Sequence, residues 1–371
     1  MDHKALTLEH LSKHGAEVSQ KNALVGFDGF VDKITSVVDK RFGQGEQFER
    51  METIDVFGNR ILSAAGKSTN IELYVNYEKL GGNGPIMANA LLNAGVNTQY
   101  IGALGEKSIH PVFEKFAADT KAISVVDPGI THALEFADGK IMLGTMASLD
   151  AINYDSILNR VKEGEFFDLL SRQDLISIVN WTMIPNMTEL LGDLLDNVIP
   201  NLPPRDMKHY FFDLADPAKR PAGEIETVLR TISRFQNYGH VTLGLNLAEA
   251  KQVYGILGQS EIEPDTGGLK SMASFIRSEL ALGCVVVHPK ESAACATKDD
   301  TCWIPGPYTE KPKITTGAGD HFNAGFSTAQ LLGFPPLACL TVGVCFSGHY
   351  VRTGESPSLH HVQSFIKNWN D

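Results

Sequence analysis

The sequence predicts an α/β fold: a doubly wound, mostly parallel sheet flanked by helices, with a small β-rich lid. Three observations carry that prediction. Short apolar runs at 99–104, 123–127, 175–180, 209–213, 241–245 and 284–288 are separated by amphipathic stretches such as 187–199 and 222–237, and strands alternating with helices build the crossover units of a parallel sheet. From about 37 to 80 the rhythm changes. There Phe48, Ile54, Val56, Ile61, Ile71, Leu73, Val75 and Tyr77 alternate with polar residues, the pattern of half-solvated antiparallel strands. Finally, residues 315–326 read Thr-Thr-Gly-Ala-Gly-Asp-His-Phe-Asn-Ala-Gly-Phe, a glycine turn opening a helix with one carboxylate, Asp320, at its mouth.

In chain order, the first twenty residues form a short polar helix, and the apolar run from Ala23 turns on Gly29 after an opening strand. Gly81-Gly82-Asn83-Gly84-Pro85 ends the lid pattern. Ile86, Met87, Ala90, Leu91 and Ala94 then repeat at helical spacing up to Gly95, a residue type that commonly closes helices. Residues 131–136 and 140–143, joined through Ala137-Asp138-Gly139, read as a hairpin. Phe322, Phe326, Ala329 and Leu332 give the last predicted helix its apolar face, and Gly333 with Pro335 stops it. With no internal repeat, low-complexity segment or flexible linker, residues 1–371 are expected to form a single domain with a lid made mainly by about 37–80.

Composition narrows the partners. A hydrophobic content of 43% with 20% charged residues is that of a globular protein. The 32 basic and 44 acidic residues leave a net charge of −12, which argues against nucleic acid. No apolar run reaches the roughly 18 to 20 residues of a membrane helix, and the N-terminal stretch lacks the apolar core of a signal peptide; a cytoplasmic protein without a membrane partner is expected. Five cysteines without a Cys-x-x-Cys pair, and histidines without a His-Glu-x-x-His pattern, give no transition-metal site. Ala64-Ala-Gly-Lys-Ser-Thr69 imitates the end of a Walker phosphate loop, but Ile61 stands where that loop needs glycine. It is read as a turn in the lid.

The chemistry concentrates at 317–320. Gly317 and Gly319 leave the backbone bare, so amide N–H groups can converge on an anion where the helix dipole is also positive. Asp320 is a poor companion for an anion unless it has a role of its own, and accepting a proton from an attacking hydroxyl is such a role. The plainer alternative is a tight turn with an aspartate favoured by the helix dipole.

Four landmarks, Gly81-Gly-Asn83, Asn246-Leu-Ala-Glu249, Gly317-Ala-Gly-Asp320 and Gly354-Glu-Ser-Pro357, occur in the order and spacing of one family. Over residues 22 to 368 the chain resembles the ribokinase-like, or phosphofructokinase-B, family of carbohydrate and nucleoside kinases. The resemblance implies in-line transfer of the ATP γ-phosphoryl group to a hydroxyl, with Asp320 as base and Gly317, Ala318 and Gly319 as the anion hole. It implies Asn246 and Glu249 near the nucleotide phosphates, Glu249 reaching Mg²⁺ through water, although their spacing also fits a helix capping box. Thr316, Gly317, Gly319 and Ser347 are expected on the nucleotide, with adenine between 304–312 and the segment containing Val344, Cys345 and Ser347. Asp32, then Asp28, together with Gly82 and Asn83, are expected to hold the acceptor. The lid would exclude water and, through its apolar strand faces, pair two chains as a homodimer.

The chain departs from the family pattern at several points. Ile86 stands where many members have a second asparagine, next to an atypical Pro85. Ile314 replaces an aspartate that helps bind a monovalent cation, so weak potassium dependence is expected. His321 follows the base in place of a small residue, either bonding a ligand or lining the helix's first turn. Pro289 and Lys290 interrupt a threonine-glycine pattern. The sequence therefore predicts an ATP- and Mg²⁺-dependent kinase acting on a sugar or sugar derivative. Alternatives are a nucleoside kinase, with Phe27, Phe30 and His321 as an aromatic slot, and a non-catalytic sugar- or nucleotide-binding regulator of the same fold.

Overall fold

The structure, a computed structural model, describes residues 2–203 and 208–369. The strands in chain order are β1 (Asn22–Phe27), β2 (Phe30–Arg41), β3 (Phe48–Arg50), β4 (Leu73–Gly81), β5 (Asn97–Gly102), β6 (Ile123–Ser124), β7 (Gly129–Phe136), β8 (Gly139–Thr145), β9 (Leu175–Ile178), β10 (His209–Asp213), β11 (His240–Leu245), β12 (Cys284–Val287), β13 (Ser292–Thr297) and β14 (Thr301–Pro305). Nine of them form the main sheet in the order β14-β13-β12-β11-β10-β9-β1-β5-β6. It is parallel from β6 to β12, and β13 and β14 complete the edge as an antiparallel pair. This edge hairpin is absent from the sequence expectations, because Ala293, Ala294 and Ala296 give it little β-forming signal.

Continuous apolar runs become strands here because both sheet faces are covered. Along β1, Leu24 enters one core while Ala23 and Val25 enter the other, the alternation that extended backbone imposes. The helices Met187–Asn197, Ala222–Arg234, Leu247–Ile256 and Thr266–Glu279 contribute buried residues to the first core. Helices His3–His14, Asn83–Ala94, Ala318–Leu331, Pro336–Thr353 and Leu359–Asn368 contribute to the second. The predicted doubly wound layering is thus present. Strand order reverses at β1, which pairs with β5 on one side and β9 on the other, and ligands of such sheets bind beyond the carboxyl ends of the strands at that reversal.

The lid is a second, five-stranded sheet of β2, β3, β4, β7 and β8 over a small core of Val37, Met51, Phe57, Leu134 and Phe136. Two expectations change. The sheet is mixed, since β2 runs antiparallel to β4 but parallel to β7, the first strand of the predicted hairpin. And Ile54, Val56 and Ile61 belong to a helix, Ile54–Leu62, rather than a strand. Its apolar signal is Ile54, Phe57 and Ile61 at helical spacing; Phe57 packs on Phe136, and the Asp138 carboxylate accepts from the Ile54 amide at 2.9 Å. The Walker-like residues 64–69 lie just beyond that helix, in an exposed turn and the segment after it. The five cysteines are all free and buried, as expected of reduced, packed thiols.

Candidate active site

The helix Ala318–Leu331 starts from Gly317, whose φ of 92° is left-handed. A side chain there would be strained and would crowd the Tyr350 hydroxyl at 3.2 Å. The turn draws the Ala318 amide back onto the Thr315 carbonyl at 3.2 Å, while among the described residues the Gly317 and Gly319 amides donate to no protein acceptor. The expected three-residue anion hole therefore reduces to two free amides at a positive helix end. Asp320, in the first turn, is only 8% exposed and accepts a 2.9 Å hydrogen bond from Asn83 Nδ2. Burial, with help from the charges of Asp28 and Glu249 and against the Asn83 bond, raises its pKa to about 8.

Asn83 is delivered by the helix Asn83–Ala94, which begins after another left-handed glycine, Gly82 at φ 97°. That helix end is closed by Asp28, from the turn between β1 and β2. Asp28 accepts from the amides of Asn83 (2.9 Å) and Gly84 (2.7 Å) and from Asn180 Nδ2 (2.6 Å). It has no exposed surface, and burial raises its pKa to about 6 against those donors. The expectation that Asp28 meets the acceptor is thereby corrected: its carboxylate caps a helix and is sealed within the protein. Glycine is required around it, since a Cβ at Gly84 would lie 2.6 Å from Asp28 Oδ1.

Asp32 goes elsewhere because the chain breaks between β1 and β2. It sits in β2 opposite Lys79 of β4 and Thr131 of β7, on the lid. It is nearly buried, and desolvation raises its pKa while Lys79 and the Thr131 hydroxyl pull it down. Its carboxyl group occupies the space a side chain on Gly81 would fill, so the double glycine serves both aspartates.

Asn246 and Glu249 form the capping box that their spacing allows: Asn246 Oδ1 accepts from the Glu249 amide at 3.0 Å and Glu249 Oε2 from the Asn246 amide at 2.8 Å. Glu249 also accepts from the Asp216 amide at 2.9 Å, and burial raises its pKa. Next to it lies Asp213, at the end of β10, which no sequence motif marks. Asp213 accepts from Asn323 Nδ2 and the Ala215 amide, and burial plus the charges of Glu249 and Asp320 push its pKa well up. Its signal is positional: it ends a strand on the same sheet edge as Asn246 and His288.

These groups open on a cleft of about 550 Å³ lined by Asn83, Asp213, Asn246, Glu249, Gly317–Asp320 and, farther out, Tyr308, Val344 and Ser347. Ser347 and residues of the 306–312 segment thus line this cleft. Cys345 is fully buried instead, and Thr316, whose carbonyl accepts from the Tyr350 hydroxyl at 3.0 Å, is replaced in the lining by Thr315. Lys290 also lines the cleft, beside His288. The aromatic slot does not form: Phe27 and Phe30 are buried, and His321 is turned inward, 1% exposed.

The family model described as prokaryotic ketohexokinase matches residues 5–369. The chain belongs to that family. A ketohexokinase of Haloferax volcanii is 28% identical over 352 residues, covering 94% of this chain and 91% of that one. Among solved structures, an Arabidopsis thaliana ribokinase complexed with ribose and ATP has a TM-score of 0.62 at 14% identity, covering 94% of this chain and 98% of its own. A Methanocaldococcus jannaschii nucleoside kinase of the ribokinase family has a TM-score of 0.61 at 14% identity, with the same coverage of both chains. This member of the ketohexokinase family is a carbohydrate kinase, a phosphotransferase with an alcohol group as acceptor, on the ribokinase-like fold. Ribokinase-family kinases use ATP. Among the described residues no helix is long and apolar enough to cross a membrane.

Proposed function

We propose that the chain is an ATP- and Mg²⁺-dependent ketohexokinase that phosphorylates a hydroxyl of a ketohexose such as fructose. The observation that carries this reading is Asp320: a buried carboxyl group at the mouth of a cleft, between a side-chain donor and two free helix-end amides. Asp320 acts as the base. The acceptor hydroxyl gives its proton to the carboxylate as its oxygen forms the bond to the γ-phosphorus, and the bond to the β,γ-bridging oxygen breaks to release ADP. Negative charge on the transferring oxygens is met by the Gly317 and Gly319 amides. A pKa of about 8 in the free protein makes the Asp320 carboxylate a stronger base than an ordinary one, and the ionised fraction able to take the proton grows as pH rises toward 8.

The residues fit a magnesium ion held through water. Glu249 and Asp213 offer hard carboxylate oxygens on one wall of the cleft, and the mutual repulsion expressed in Asp213's raised pKa is relieved by a cation. No three His, Cys, Asp or Glu side chains among the described residues are grouped to hold a metal directly. Such an ion supplies charge neutralisation on the phosphates when bound. Asn246, Ser347 and Thr315 face the nucleotide side, and Asp32 with Asn83 takes the sugar. Chain 1–371 acts as one kinase domain whose lid excludes water. Exposed Leu73, Tyr77, Met142 and Leu143 on the lid support its pairing with a second copy.

The test is ADP release with ATP and Mg²⁺ across ketohexoses, aldohexoses, pentoses and nucleosides, with the phosphorylated product identified. Ketohexoses should give the highest kcat/KM. A nucleoside preferred over every sugar would overturn the substrate, and turnover surviving Asp320→Asn would overturn the base.

A further inference from the structure

We infer that His321 is a positioning residue: it holds the anion-binding turn in shape as the last member of a directed hydrogen-bond chain running from Asn89 through Ser356 to the Gly317 carbonyl. The inference rests on the proposed role of the Gly317 and Gly319 amides in binding the transferring phosphoryl group. His321 Nδ1 lies 2.7 Å from the Gly317 oxygen. A carbonyl only accepts, so Nδ1 carries the hydrogen, and Nε2 must then accept. Nε2 is 2.8 Å from Ser356 Oγ, which in turn accepts from Asn89 Nδ2 at 3.2 Å. Each link has one direction, and the other tautomer would set two lone pairs against each other. Burial, which lowers the pKa of His321 to about 4, keeps the ring neutral and that tautomer fixed.

The ring's second contact points to the same turn. His321 stacks on Tyr350, centroids 3.6 Å apart and planes 14° from parallel, and the Tyr350 hydroxyl donates to the Thr316 carbonyl at 3.0 Å. Two successive carbonyls, those of Thr316 and Gly317, are therefore drawn back into the protein by two stacked side chains. In a trans peptide the N–H points opposite the C=O. Fixing the Thr316 carbonyl thus aims the Gly317 amide away from Tyr350. Fixing the Gly317 carbonyl closes the Ala318 amide onto Thr315 and leaves Gly319 as the next free donor. His321 itself is absent from the cleft wall, so it acts on substrate only through this turn. Ser356, within the Gly354-Glu-Ser-Pro357 landmark, thereby gains a structural role, relaying the helix Asn83–Ala94 to the turn.

The experiment compares His321→Leu, His321→Asn, His321→Gln, Ser356→Ala and Asp320→Asn. It reads kcat, KM for sugar, thermal midpoint, and calorimetric affinity for AMP and for a non-hydrolysable ATP analogue. His321→Leu should lower kcat by about tenfold, the scale of one lost positioning hydrogen bond, with the sugar KM within about twofold. The ATP analogue should lose more affinity than AMP, which lacks the outer phosphates. His321→Asn keeps a donor near the Nδ1 position and should recover part of the kcat. His321→Gln reaches Ser356 but not the carbonyl and should recover little, and Ser356→Ala should fall between wild type and His321→Leu. Equal losses in His321→Asn and His321→Leu, or a lowered thermal midpoint with unchanged kcat and unchanged affinity ratio, would make His321 mere packing. Turnover retained by Asp320→Asn would remove the base reading, whereas the analogue-to-AMP ratio reports on the turn without any turnover.

Discussion

Two helices of this protein begin almost alike and end in opposite roles. Asn83–Ala94 and Ala318–Leu331 each follow a left-handed glycine, Gly82 at φ 97° and Gly317 at φ 92°, and neither is capped by the side chain of its own N-cap residue. The first is filled by the protein: Asp28 accepts from two of its opening amides. The second keeps two amides free beside a cleft. A positive helix end attracts an anion in both cases, and the lesson is that a glycine turn before a helix marks an anion site without saying whose anion fills it. The two ends are also wired together, because Asn83 bridges from the filled one to Asp320 at the open one.

The sharpest way to test that contrast is to make the same substitution at both. Asp320→Asn should lower kcat by about 10²–10⁴-fold, the usual span of a general base, with nucleotide affinity within a few-fold. Kinetics of the purified variant with direct binding of ATP measures both. Asp28→Asn should instead act on stability. It replaces one accepting oxygen by an amide NH₂ that faces either the Gly84 amide or the Asn83 amide and Asn180, at a cost of about 1–3 kcal/mol for a buried group left without its partner, read as a fall in the denaturant midpoint. Equal destabilisation by both variants would dissolve the distinction between a filled and an open end.

The next effect is smaller and depends on pH. Asp320 has a folded pKa of about 8 against an ordinary 3.8. The folded state therefore binds a proton that the unfolded state has released between those values, and its contribution to stability is full below about 4 and lost as pH rises through 8. Asp320→Asn should accordingly raise the thermal midpoint at pH 8 and raise it much less at pH 5. A gain that is the same at both values would contradict the buried, protonated carboxyl. Catalysis runs the other way, with kcat/KM of the free enzyme rising with pH along a limb set by Asp320. The smallest expected effect is that of potassium: with Ile314 in place of a carboxylate, replacing potassium by a large organic cation should change turnover by less than about twofold, since an aliphatic side chain offers the ion no oxygen ligand.

Much of this is legible from residues alone. Buried parallel strands write themselves as apolar runs, and the helix after Gly317 as spaced phenylalanines, because both periodicities follow from backbone geometry. The helix Ile54–Leu62 reads as strand because its nine residues contain an Ile54-x-Val56 alternation that fits either element. Asp213 carries no motif of its own, and only its place on the sheet edge brings it beside Glu249. The lid's mixed pairing is hidden because β7 pairs with β2 through partners such as Phe30 and Gly129, 99 positions apart (129 − 30), a distance at which local pattern carries no partner information.

The sequence by itself determined the layered α/β architecture, the glycine turns and the placement of one carboxylate at a helix mouth, since these depend on backbone freedom and local periodicity. Which aspartate is sealed and which is open, the inward turn of His321 and the gathering of Asp213 with Glu249 and Asp320 were decided only by the tertiary structure. Burial and long-range hydrogen bonds, properties of residues far apart in the chain, give identical side chains different pKa values and different partners.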